Sequence, residues 1–424
     1  MPALQPTART AAVALLDAVL QEGRLISDLV GGETLAGLPP ADRARAQRLA
    51  VDTLRGMERT DRLIDRHLRK KPPLHVRNIL RLGAHELCTG GDPHGVVNEL
   101  VALAARHRRH GRLKGLVNAV LRKIADGGGA SWNDLRVPRL PGWLRDPLVN
   151  AWGSGTVAAM EKAHFAGAPL DLTARDDTAA VAAELGGTLL PTGTVRLTDA
   201  GQVSALPGFA EGRWWVQDAA AALPARLLAP QPGQSVLDLC AAPGGKALQL
   251  AATGADVTAL DISESRMARL RENLARTRLA ADCVVEDALD HQGGPYDAVL
   301  LDAPCSATGT IRRHPDLPHA RDGTGIDGLI ALQARMIDHA LTLLRPGGRL
   351  VFCTCSLLPD EGECQVEEAL ARHATLTADR GALDHPWVEP GWITEEGGLR
   401  LRPDYWPDRG GMDGFYIAVL RHGG

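Results

Sequence analysis

From about residue 211 the chain alternates strand patterns with helix patterns, and this alternation limits the fold more than any other feature. SVLDLC, DVTALDI, DCVVED, YDAVLLDAP and RLVFCTCS read as strands. KALQLAAT, SRMARLRENLART and LIALQARMIDHALTLL, lying between them, have helical spacing. Strands alternating with helices pack as a parallel, doubly wound sheet. FYIAVLRH is expected as a last strand on the same sheet, so residues 211–424 form an α/β Rossmann-like body. The chain before it reads differently. Residues 6–126 are helical throughout, with HVRNILRLGAHELC, GVVNELVALAARH and GRLKGLVNAVLRKIA as the clearest segments. They predict an all-α domain over 1–127, ended by a linker at the GGG of 127–129. Residues 130–210 mix a helix, WLRDPLVNAW, with the strands PLDLTARDD and TVRLTDA around AAVAAELGG. This predicts a small α/β (ferredoxin/RRM-like) middle domain.

Charge separates the same regions. Residues 1–127 carry 21 Lys/Arg against 13 Asp/Glu, and the remainder 26 against 38. A basic helical domain on an acidic body suggests that the first part holds a polyanion. A solvated Arg-rich surface would look the same. MPALQPTART has no apolar core or cleavage pattern for a signal peptide. No run reaches the roughly 18 apolar residues of a membrane span. The seven cysteines are clustered late in the chain, unlike a disulfide framework, and they lack partners at zinc-ligand spacing. A cytoplasmic, metal-free, monomeric protein is expected.

DLCAAPGGK, residues 238–246, joins the first strand of the α/β body to its first helix. Ligands of such sheets bind beyond the carboxyl ends of the strands. Gly244 and Gly245 allow close backbone approach, but neither a dinucleotide fingerprint nor a triphosphate loop is present. Asp238, Asp261, Asp287 and Asp302 fall at four successive strand ends. Each acid alone would serve equally as a helix cap. Together they disfavour a pyrophosphate and suit a ribose, an adenine and a positive sulfonium, which points to S-adenosylmethionine.

Cys305 in LDAPCS and Cys355 in FCTCS follow neighbouring strand ends, which lie about 5 Å apart in a sheet. A thiolate adding to C6 of a cytosine turns C5 into a nucleophile able to take a methyl group. Asp302 is placed to assist at N3, and a second thiol assists release. Cys88, Cys240, Cys283, Cys353 and Cys364 read as small buried side chains. Spacing alone does not say which thiol attacks.

Several motifs carry a resemblance. VQDAAA, VLDLCAAPGGK, LDIS with Arg266, EDA, LDAPCSATGTIRRHPD, LRPGGRLVFCTCSLLPDEGE and DGFYIA resemble the NOL1/NOP2/Sun family of RNA cytosine-5 methyltransferases. The resemblance implies Cys355 as nucleophile and Cys305 as the release thiol. It also implies cofactor contacts from Cys240, Ala241, Ala242, Pro243, Gly244, Gly245, Lys246, Asp261, Arg266, Asp287 and Asp302. Ala247 departs from the family's usual Thr, LTARDD from its usual middle-domain strand, and the Gly-rich 319–329 is longer than usual. The helical domain resembles the NusB-like RNA-binding fold. Its densest basic cluster is Arg106, Arg108, Arg109, Arg112 and Lys114, with Arg69, Lys70 and Lys71 as a second. Together the two resemblances imply a 16S rRNA substrate, naked or partly assembled; Arg312 and Arg313, just after the Pro-Cys loop, are expected on the flanking phosphates. The same chemistry on tRNA, or a non-catalytic NusB-like antitermination factor, are the competing readings.

Overall fold

The computed structural model describes residues 7–198 and 200–423. Residues 1–6 of the stretch read for a targeting signal, and Asp199 at the edge of TVRLTDA, lie outside it. The chain forms two compact units. One runs up to Gly167 and includes Ile311–Gly323; the other comprises Ala168–Thr310 and Thr324–Gly424.

The first unit is helical. Its main helices are Ala8–Glu22, Pro40–Arg55, Met57–Asp65, Leu74–Cys88, Pro93–Arg106 and Lys114–Trp132, packed around Leu15, Ile79, Leu100 and Leu121. Thr7 starts the first helix by accepting from the Thr10 amide, and Gly23 ends it in the left-handed region. At Gly83 a Cβ would come within 2.6 Å of Leu121, so a glycine there lets Leu74–Cys88 approach Lys114–Trp132 closely. The expected linker at 127–129 is instead helical, because Lys114–Trp132 runs through all three glycines. Packing overrides their low propensity: Trp132 is buried, and its carbonyl accepts from Arg59 Nη1 at 3.1 Å. Helices Gly142–Trp152 and Ser154–Ala166 also belong to this unit, so it extends well past residue 127. Residues 311–323 join it through Asp316, which accepts from the Ile26 amide at 2.7 Å, and Pro318, whose carbonyl accepts from Trp143 Nε1 at 3.1 Å.

The second unit holds two sheets. Strands β1 (Leu170–Ala174), β2 (Thr188–Leu189), β3 (Val195–Leu197) and β4 (Trp214–Val216) form an antiparallel sheet in the order β2-β3-β1-β4. The helix Thr178–Leu185 packs on it through Val181. A buried pair, Arg196 to Asp171 at 2.7 Å, joins β3 to β1, and Arg196 also donates to the Gly411 carbonyl at 2.7 Å. The larger sheet contains β5 (Ser235–Leu239), β6 (Asp256–Asp261), β7 (Asp282–Val285), β8 (Tyr296–Asp302), β9 (Leu344–Thr354), β10 (Leu376–Ala378), β11 (Leu399–Leu401) and β12 (Phe415–His422). Its order is β10-β12-β9-β8-β5-β6-β7, with β11 on β12. The five strands β5 to β9 are parallel, as expected, but β12 pairs antiparallel with β9 and makes the sheet mixed. Successive parallel strands run outward in opposite directions from β5 and β8, so a crevice opens at their carboxyl ends.

Candidate active site

The register of β8 on β9 builds the site. Asp302 sits opposite Cys353, and the Ala303 amide donates to the Cys353 carbonyl at 3.0 Å. Both chains then leave the sheet side by side. Gly309 donates to the Cys355 carbonyl at 2.9 Å and its own carbonyl accepts from Gly414 at 2.9 Å. A Cβ on Gly309 would lie 1.9 Å from the Gly414 oxygen, so only glycine permits this junction. The result is a sulfur pair, Cys305 Sγ and Cys355 Sγ 3.5 Å apart, both half-buried. The hydrogen bond with Cys355, burial, and the charges of Cys355 and Glu361 all push the Cys305 thiol well above its ordinary value. Cys353 is fully buried, with its sulfur 3.5 Å from Asp302 Oδ1. Burial and Asp302 hold it as a neutral thiol.

Asp302 Oδ2 accepts from Lys246 Nζ at 2.7 Å. Burial opposes charge on that lysine, yet the acidic groups around it, Asp302 foremost, together outweigh burial and raise the ammonium's pKa. The ammonium also lies over the Phe415 ring, 5.0 Å from its centroid. The Asp302–Lys246 pair therefore sits in the crevice beside the sulfur pair.

Sequence reasoning missed Glu361. This side chain is fully buried just after β9. It accepts from the Ser306 amide at 2.9 Å, from Ser306 Oγ, from Ser356 Oγ at 2.6 Å and from Gln333 Nε2 at 3.1 Å. Ser306 follows Cys305 and Ser356 follows Cys355, so one carboxylate ties both cysteine loops together. The only signal was its place in LPDEGE, with no role attached.

The loop 240–246 turns sharply after β5. Cys240 has φ 63° and Gly244 φ 112°, and a Cβ on Gly244 would meet Leu270 at 2.2 Å. Burial, then Asp302, pushes the Cys240 thiol up to about 12. Asp261 is buried at the end of β6. It accepts from the Ser263 amide at 2.8 Å, the Ala242 amide at 3.2 Å and Arg266 Nη2 at 2.8 Å. These fill three of the roughly four acceptor positions of a carboxylate, so a contact to both ribose hydroxyls needs the half-exposed Arg266 to yield. Asp287 is exposed and caps its own turn through the Leu289 amide at 2.9 Å. Asp238 does not line the rim as expected. It is fully buried one residue before the end of β5, and both its oxygens lack a hydrogen-bond partner among the described residues. Burial, then Asp302, raises its pKa well above the carboxylate range.

In the helical unit, Arg106, Arg108, Arg109, Arg112 and Lys114 are all exposed around the turn between two helices. No described carboxylate is within ion-pair distance of any of the five. Arg69, Lys70 and Lys71 are exposed too. Arg313 is exposed, but Arg312 is only 1% exposed, packed into the helical unit. The expected phosphate contact from Arg312 is therefore corrected: its guanidinium is out of a polyanion's reach. The helical unit also has a cavity of 430 Å³ beside Phe165 and Ile311. It contains His164, whose pKa burial and then Arg312 lower to about 3. None of the residues around the sulfur pair lines it. Among the described residues no cluster of His, Cys, Asp and Glu is placed to hold a metal, and no helix is long and apolar enough to cross a membrane.

The chain is similar to known proteins. The family model described as 16S rRNA methyltransferase RsmB/F matches residues 225–421, and that of the NusB family matches residues 6–126. The ribosomal RNA small subunit methyltransferase B of Salmonella arizonae is 35% identical over 98% of this chain and 99% of its own length. That of Pseudomonas putida is 35% identical over 97% and 98%. A solved methyltransferase homolog protein from Pyrococcus horikoshii is 27% identical, with a TM-score of 0.56 over 65% of this chain and 93% of that one. The solved protein PH0851 has a TM-score of 0.73 over 97% and 98% at 22% identity, a likeness of fold.

Proposed function

The chain belongs to the RsmB/F family of 16S rRNA methyltransferases, and from that premise we propose that it methylates C5 of a cytosine in 16S rRNA through a covalent adduct on Cys355. The observation that carries this reading is the sulfur pair, 3.5 Å apart beside the Asp302–Lys246 ion pair. Among methyl acceptors, a C5 carbon is one whose chemistry needs a thiol to activate it and benefits from another to release it.

The family uses S-adenosylmethionine, which supplies a methyl group on a sulfonium. The donor set fits it. Asp261 has an acceptor position left for a ribose hydroxyl, and among the described residues the rim cations Lys246 and Arg266 are each paired with a carboxylate, which disfavours a pyrophosphate. The loop Cys240–Lys246 with Asp261, Arg266, Asp287 and Asp302 would hold it.

Cys355, as thiolate, forms a bond from Sγ to C6, and the C5–C6 electron pair moves to C5, which takes the methyl group. Asp302, kept in place by Lys246, takes up a proton from water as the base binds, donates it to N3 as charge builds on the ring and recovers it when the adduct collapses. Water takes the C5 proton, the electron pair of that C–H bond restores the C5–C6 double bond, and the C6–S bond breaks with its pair returning to Cys355. Cys305 assists that last departure. A base reached in this way must be single-stranded or splayed out, which favours naked or partly assembled RNA. The exposed cationic turn of the helical unit would hold the phosphates.

The test incubates the protein with labelled S-adenosylmethionine and either 16S rRNA or bulk tRNA, beside Cys355→Ser. Label recovered as 5-methylcytosine from rRNA, and lost in the variant, supports the reading. Label confined to tRNA, or unaffected by the variant, sinks it.

A further inference from the structure

We propose that Glu361 assigns the two cysteines their roles: its buried carboxylate holds Cys305 as the neutral S–H donor of the sulfur pair and leaves Cys355 as the acceptor. This rests on the reading of Cys355 as nucleophile and Cys305 as release thiol.

The sulfur–sulfur contact at 3.5 Å can run in either direction on distance alone. Its surroundings are not symmetric. On the Cys305 side, Glu361 takes both the amide, at 2.9 Å, and the hydroxyl of the next residue, Ser306. A negative charge is thereby fixed against the Cys305 loop. On the Cys355 side, Glu361 takes only the hydroxyl of the next residue, Ser356, at 2.6 Å and no backbone amide, and the Ser356 carbonyl accepts from Arg400 on β11, whose charge is balanced by its pair with Glu363. The other groups around Cys305 do not reverse this. Asp302, three residues back, is neutralised by Lys246 at 2.7 Å, Cys353 is neutral, and Gln333, which donates to the Pro304 carbonyl at 2.8 Å, is uncharged. The hydrogen bond with Cys355, burial and then the charges of Cys355 and Glu361 disfavour a thiolate at Cys305. A thiol held neutral next to a thiolate donates to it, and such charge-assisted bonds are the stronger kind. Cys305 would thus stabilise the Cys355 thiolate before attack and, keeping its proton, donate the same hydrogen bond to that sulfur as the C6–S bond breaks. Glu361 touches no reacting atom in this scheme, so it is a positioning residue.

The test titrates Cys305 directly. The full chain carrying Cys355→Ser is alkylated with iodoacetamide across pH, and Cys305 labelling is read by peptide mass spectrometry, with Cys88 as internal reference. The same is done with Glu361→Gln added, which retains most of the hydrogen-bonding shape. The expected result is a high midpoint for Cys305 that falls in the double variant, with labelling at fixed pH raised about tenfold, the equivalent of one pKa unit. An unchanged midpoint in a variant with an unchanged thermal transition overturns the inference. So does a midpoint at or below the ordinary thiol value of about 8.5 without any change at Glu361. Neither result depends on RNA, so the inference can fail while the loss of 5-methylcytosine in Cys355→Ser stands, and the reverse.

Discussion

Cys305 and Asp238 make opposite predictions although both are held protonated by their surroundings. Cys305 is needed, on the proposed chemistry, only after methyl transfer. Cys305→Ser should therefore accumulate a covalent RNA–protein adduct, visible as a denaturant-stable band, and free product at the normal rate would refute its role. Asp238 is a cost to the fold. An ordinary Asp titrates near 3.9, whereas burial and Asp302 raise this one well above that. Between the two values the native state keeps a proton that the unfolded state has lost, so stability falls as pH rises. Below the ordinary value both states are protonated and the effect vanishes. Asp238→Asn should thus match the parent chain near pH 4 and melt at a higher temperature than it near pH 7. A variant weaker at neutral pH would mean that Asp238 is ionised in the fold. The sulfur pair, Cys305 and Cys355, was legible in the sequence because each cysteine sits in a short motif at a strand end. Asp238, Arg312 and Glu361 were not. Their burial is decided by facing segments, and the partners of Glu361 come from three separate places, Ser306, Gln333 and Ser356.

At the level of elements, the long apolar runs of β5, β6, β8 and β9 announce themselves, because strands covered on both faces need continuous hydrophobic sequence. The direction of β12 does not. FYIAVLRH fits a buried strand in either orientation, and only its pairing with β9 makes it antiparallel. β10 and β11, three residues each, are too short to show a period. The helix through Gly127–Gly129 was hidden for another reason: glycine signals a break, and the buried Trp132 beyond it overrules that signal. The junction at Gly309 gives the prediction of this scale. The Pro-Cys loop, the end of β9 and the turn before β12 meet backbone to backbone there. Gly309→Ala inserts a methyl group where 1.9 Å is available, so the Cys305 loop must move by an ångström or so. Displacement of that size at reacting groups lowers rates about 100-fold. Methylation of rRNA should fall by that order while S-adenosylmethionine still binds, as measured by calorimetry; unchanged turnover would show that the loop's position is not critical.

On the scale of the molecule, charge and chain path divide differently. The path was poorly legible. Residues 311–323 leave the α/β unit and pack in the helical one, and nothing in IRRHPDLPH marks that exchange. The charge division was legible from composition, because Lys and Arg remain at the surface wherever the fold places them. Its excess falls in the helical unit, and the exposed turn carrying Arg108, Arg109 and Arg112 is its most concentrated part. Phosphate contacts release counterions, so each one adds about 0.7 to the slope of affinity against salt for a single strand. Replacing these three arginines by alanine should reduce that slope by about two and weaken 16S rRNA binding most at low salt. Because such contacts position the RNA without taking part in bond changes, the methylation rate at saturating RNA should stay near that of the parent chain. Binding measured across a salt series, with single-turnover rates alongside, separates the outcomes. A flat response in binding would move the RNA face elsewhere, and a lost rate at saturation would place these arginines nearer to the chemistry than a phosphate anchor needs to be.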